Sequence, residues 1–126
     1  MNDNKQRVMI AFRLILVLIL TFISWQATIR TGIEVPISNS DKLLHFLAFY
    51  TLAFLLDFAF PKSRFGVLKI IILIGYGGLI EVVQSFLPYR SAELADLITD
   101  IIGISAYALT IPILRRFSFI QQYRQK

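Results

Sequence analysis

The 126-residue chain is 56% hydrophobic, with a mean hydropathy of +0.67 and a net charge of +5. That is too apolar for an ordinary water-soluble domain of this length. The absence of cysteine excludes disulfides, thiolate metal sites and thiol nucleophiles, and the basic residues fall between apolar runs, a pattern of membrane topology rather than of nucleic-acid binding.

The first apolar segment covers roughly residues 8–29, "VMIAFRLILVLILTFISWQATI". Lys5 and Arg7 precede it, as in a secretory signal, but the following "TIRTG" offers no small-x-small cleavage site. It is therefore expected to stay as a membrane helix, with Trp25 as an interface anchor. The second covers roughly 43–60 and opens on "SDKLLHFLAF". Asp41 there suits a helix first turn, Lys42 can reach headgroups, and His45 sits one turn after Asp41. The third covers roughly 65–87, "FGVLKIIILIGYGGLIEVVQSFL", and carries Glu81 and Gln84 near its end. The fourth covers roughly 94–114, "LADLITDIIGISAYALTIPIL", with Glu93 just before it and Asp96 and Asp100 in its first turns. The last residues, "QQYRQK", are expected to lie free or at the interface.

Each segment is near the ~20 residues that span a bilayer core. Backbone in lipid must satisfy its own hydrogen bonds, so all four are read as helices. The short connections "PKSR" and "PYRSAE" make neighbours antiparallel. The expected fold is all-α: one domain over residues 1–126, a polytopic membrane protein with four transmembrane helices in an antiparallel bundle. Ten Lys and Arg residues then fall on the side of the two chain ends and three (Arg30, Lys42, Arg90) on the other. The positive-inside rule puts both ends of the chain in the cytoplasm.

Spacing gathers the polar residues. Asp41 and His45 are i, i+4; Glu81 and Gln84 are i, i+3; Glu93, Asp96 and Asp100 are i, i+3, i+7. Each set shares a helix stripe, and Gly103 continues the last one as a point of close approach. Gly75, Gly77 and Gly78 offer the same on the third helix. Ionisable groups facing lipid are costly, so the three sets are expected to share an outward-facing polar pocket, with Arg90 of the adjacent turn as a counter-ion of Glu81 or Asp96 or as a ligand-binding cation. Asp57 and Lys69, at the opposite end, are read as a cross-helix ion pair.

At these residues the chain resembles the VanZ-like family. "DKLLHFLAF", "GGLIEVVQSFLPYR" and "ELADLITDIIG" are similar to its pattern of Asp-Lys-x-x-His, Glu-x-x-Gln, an Arg, an Asp six residues later and an Asn before a Gly. The matching positions are Asp41, Lys42, His45, Glu81, Gln84, Arg90, Asp96 and Gly103, over residues 41–103. Asp100 stands where the family usually has Asn. The resemblance implies a bacterial cytoplasmic-membrane protein of the cell envelope, in a family whose founding member is associated with teicoplanin resistance.

Two chemistries compete for the pocket. In one it binds an envelope component, a lipid-linked or cell-wall headgroup, with Lys42 and Arg90 on phosphate or carboxylate. In the other, His45, Glu81, Asp96 and Asp100 hold a divalent cation that activates water against a lipid-linked ester, a donor set suited to Mg²⁺ or Mn²⁺. No cofactor motif such as H-E-x-x-H is present. A transport path is disfavoured, because the pocket and the Asp57–Lys69 pair stand about twelve residues, or ~18 Å, apart along the helices.

Overall fold

The computed structural model describes residues 2–29, 40–90 and 92–124, without the side chains of Ser40 and Asp41. Five helices account for these residues: α1 (Asp3–Thr28), α2 (Ser40–Ala59), α3 (Val67–Ser85), α4 (Leu94–Leu114) and α5 (Ser118–Arg124). The first four are long and apolar enough to cross a membrane, and the chain is a multi-pass membrane protein. α1 begins earlier than its apolar run, because Asn2 caps it by accepting the Lys5 N–H at 2.8 Å. α5 follows a short turn and is too short to have shown itself as a span.

α2 is the central helix. α4 lies along one side of it, α1 along another, and α3 closes the bundle with lighter contacts. Phe49, Leu52, Ala53 and Leu56 of α2 make the core with Leu16, Leu73, Ile104 and Tyr107. α1 buries only Leu16 and turns Leu14, Val17 and Leu18 outward. In water such a surface would be a liability; in lipid it is the expected outer face.

Two glycines set the helix spacing. A Cβ on Gly103 would stand 2.6 Å from the backbone oxygen of Phe46 on α2, and one on Gly77 would stand 2.8 Å from Asp100 Oδ2. Gly75 and Gly78 face open space, so of the glycines expected to mediate close approach on α3 only Gly77 does so. The buried stripe of α4 is Asp96, Asp100, Gly103, Ile104 and Tyr107, the face expected from spacing and extended by one more turn.

The end of α2 is tied by charge. Asp57 is 1% exposed and Lys69 5%. Asp57 Oδ1 takes Lys69 Nζ at 3.0 Å and Arg124 Nη2 at 2.9 Å, and its Oδ2 accepts from the Tyr107 hydroxyl at 2.5 Å. The ion pair read from the sequence is present, inside a larger network. The carbonyls that an α-helix leaves unpaired at its C-terminus are taken up here too. Arg13 Nε donates to Ala59 O at 2.9 Å, Lys69 Nζ donates to Phe60 O at 3.0 Å and Ser63 O at 2.8 Å, and the Tyr123 hydroxyl donates to Phe58 O. Burial pushes the Tyr123 phenol up, which keeps it a neutral donor. Tyr123 and Arg124 are thus docked against α2, where the sequence suggested a free or interfacial tail.

Candidate functional site

The opposite end of the bundle holds the start of α2, the end of α3 and the start of α4. Three helices bring five predicted residues together there: Lys42, His45, Glu81, Asp96 and Asp100. Lys42 Nζ lies 3.0 Å from Glu93 Oε2 and 3.1 Å from Asp96 Oδ1. His45 Nδ1 lies 2.7 Å from Asp100 Oδ1, and its Nε2 lies 3.8 Å from Asp96 Oδ2. An ionised carboxylate only accepts hydrogen bonds, so Nδ1 carries the hydrogen toward Asp100.

Asp96 and Asp100 are buried at 5% and 1% exposure, on the α4 stripe that spacing turns toward the other helices. Asp100 sits over Gly77, where any larger residue would take its place. The departure from the family's Asn therefore puts a carboxylate, not an amide, against the His45 ring. Glu81 Oε2 accepts the backbone N–H of Glu93 at 3.0 Å, an orphan donor at the start of α4. Its other oxygen, Oε1, is buried and has no hydrogen-bond partner among the described residues. The same holds for Gln84 Oε1.

Gln84 and Arg90 share this end but turn elsewhere. Gln84 Nε2 donates to Ala27 O at 3.1 Å, and Arg90 donates through Nε to Ile29 O at 3.0 Å and through Nη2 to Gln26 O. The Tyr89 hydroxyl donates to Thr28 O at 2.6 Å. Four consecutive carbonyls at the C-terminus of α1, from Gln26 to Ile29, are thus each met by a side chain from the end of α3 and its turn. A cation at this pole also meets the negative end of the helix dipole. The sequence reading paired Arg90 with Glu81 or Asp96 or with a ligand; here it holds α1 instead. Tyr89 was not singled out, and only its place beside Arg90 hints at its role. Asp41 opens α2, but its side chain lies outside the described residues.

The assembled site is acidic. Glu81, Glu93, Asp96 and Asp100 face one lysine and one imidazole. The two cations expected to grip an anion are both engaged: Lys42 between two carboxylates and Arg90 on α1. His45, Glu81 and Asp96 each offer one ligand atom, and these atoms lie within 4.8 Å of one another.

Fold and site together define a small polytopic helical membrane protein with a charged cluster built at one end of its spans. A family model described as VanZ/LLP1 matches residues 3–115, and the chain belongs to that family. It is also 37% identical over 73 residues to an uncharacterized protein of the fission yeast Schizosaccharomyces pombe. That match covers 56% of this chain and 45% of the yeast protein, so the chain spans less than half the length of the curated relative it matches. No solved structure matches the chain.

Proposed function

We propose that this protein binds a charged headgroup at the membrane surface, in the cluster formed by Lys42, His45, Glu81, Asp96 and Asp100. The headgroup is that of a lipid-linked or cell-wall component of the bacterial envelope. The observation that carries the reading is Glu81 Oε1 of α3, buried and without a partner among the described residues, beside four further ionisable groups from α2 and α4. Ionisable groups at membrane depth are costly and are retained at functional sites. In this reading Gln84 and Arg90 support the site by fixing α1 beside it. In this reading the cluster faces outward from a cytoplasmic membrane with both chain ends cytoplasmic, an orientation that the excess of basic residues on the side of the chain ends supports. In this reading the link to teicoplanin resistance that the family resemblance implies runs through the bound envelope headgroup.

Two results are expected. Purified wild-type protein should retain a phosphorylated lipid that mass spectrometry identifies, while Glu81→Ala and Asp96→Ala should lose it with membrane levels near wild type. Equal retention by all three proteins would sink the reading. Sidedness is tested separately. The chain lacks cysteine, so exposed Ala92 and Ser63 can each be replaced by cysteine in intact cells. A membrane-impermeant thiol reagent should label position 92 and spare position 63. The reverse pattern would move the cluster to the cytoplasmic face.

A further inference from the structure

We propose that His45, Glu81 and Asp96 form a divalent-cation site, and that the metal, rather than a basic side chain, receives the phosphate of the headgroup. This deepens the headgroup reading and its second clause rests on it; the metal site itself stands on the following geometry.

In each of the three residues one atom is held and another is left over. His45 gives Nδ1 to Asp100 at 2.7 Å, which leaves Nε2. Glu81 gives Oε2 to the Glu93 N–H at 3.0 Å, which leaves Oε1, buried and without a partner among the described residues. Asp96 gives Oδ1 to Lys42 at 3.1 Å, which leaves Oδ2. The three residues stand on three different helices, and one ligand atom of each lies within 4.8 Å of those of the other two.

The distances favour an ion over a direct bond. His45 Nε2 and Asp96 Oδ2 are 3.8 Å apart, too long for a hydrogen bond. Two ligands each ~2.1 Å from a single ion stand roughly 3.0–3.7 Å apart, close to this spacing. Asp100 completes a known logic: a metal-binding histidine donates its other ring N–H to a carboxylate, which fixes the tautomer and raises its basicity. A buried carboxylate oxygen with no donor is expensive, and a cation between the three atoms removes that cost.

The charge argument leads to the same place. Four carboxylates against one lysine and one imidazole repel an anionic ligand. Arg90 is committed to Ile29 O and Gln26 O. A divalent cation offsets the excess and presents open positions to phosphate oxygens, as hard ions with carboxylate ligands do. One nitrogen with two carboxylates suits Mn²⁺ and Mg²⁺.

The test uses the full-length protein in phosphatidylcholine nanodiscs, with Mn²⁺ followed by electron paramagnetic resonance. Wild type should take up one saturable Mn²⁺ per chain, displaced by excess Mg²⁺. Glu81→Gln and Asp96→Asn should bind it at least ~10-fold more weakly, and Asp100→Ala, which leaves Nδ1 without its acceptor, should lose ~10–100-fold by releasing the His45 ring. Glu81→Gln guards against misfolding. It keeps an amide oxygen for the Glu93 N–H and removes one of four clustered carboxylate charges, so without metal it should be as stable as wild type. Absence of Mn²⁺ binding, or equal binding by wild type and Glu81→Gln, overturns the site. Lipid retention measured in EDTA separates the two readings. Retention in EDTA without Mn²⁺ binding leaves the headgroup reading and removes the metal. Mn²⁺ binding without any retained headgroup does the opposite.

Discussion

Replacing Asp57 by alanine is expected to destabilise the folded bundle by about 3–5 kcal/mol, the usual cost of removing one partner from a buried ion pair. The reason is what stays behind. Lys69 is 5% exposed and would be left without the carboxylate that balances it. Arg124 would lose its 2.9 Å bond and Tyr107 its acceptor. Asp57→Asn should cost less, because the amide oxygen still accepts a hydrogen bond and the volume is kept. Reversible unfolding in mild detergent measures both. A stability loss below ~1 kcal/mol for Asp57→Ala would show that the network is not what holds this end together. The same variant should loosen α5, because Arg124 loses its side-chain acceptor while Tyr123 keeps Phe58 O. Protease cleavage after Arg116 or Arg124 should therefore become faster.

The second large effect is expected at Gly103. Its place against α2 is set by backbone atoms, Phe46 O at 2.6 Å and Tyr50 N at 3.2 Å from an added Cβ. Backbone cannot swing aside as a side chain can. Gly103→Ala must therefore push α2 and α4 apart, at a cost of about 1–3 kcal/mol for overpacking. Phe46 adjoins His45, so the shift also pulls the imidazole from Asp100. Gly103→Ala should lose both stability and lipid retention, whereas Gly75→Ala and Gly78→Ala, which meet nothing within 4 Å, should change neither. Wild-type retention by Gly103→Ala would mean that the α2–α4 crossing does not set the site.

Much of this architecture was legible in the residues. Length and apolarity specify a span almost alone, since lipid leaves the backbone no other solution, and α4 runs from Leu94 to Leu114 as read. Spacing also reported faces: Asp96, Asp100 and Gly103 lie on one buried stripe because a helix repeats every 3.6 residues. The same stripe reaches Tyr107 four residues on, so the phenol that meets Asp57 was within reach of the same argument. Periodicity says which way a residue points, not which neighbour it meets. Arg90 sits in a turn, where no periodicity applies, and its partners are carbonyls at the C-terminal end of α1, 61 and 64 residues earlier in the chain. Carbonyls carry no sequence signature, so a cation that caps a helix looks the same as one that awaits a ligand. α5 escaped for a related reason. Its seven residues bury Ile120 and Tyr123, too short a run for amphipathic spacing to stand out.

The clamp on α1 has a bearing on how the protein is made. α1 leaves the ribosome before α2 to α5, and the carbonyls from Gln26 to Ile29 are then without the donors that later meet them. Those donors, on Gln84, Tyr89 and Arg90, are synthesised only after α2 and nearly all of α3. Until then α1 must keep its C-terminal end in the hydrated headgroup layer, where water can serve those carbonyls. Arrival of the 84–90 segment exchanges that water for protein donors and lets the first span settle against the rest. The order of synthesis thus makes the turn after α3, rather than α1 itself, the step at which the first helix acquires its final place.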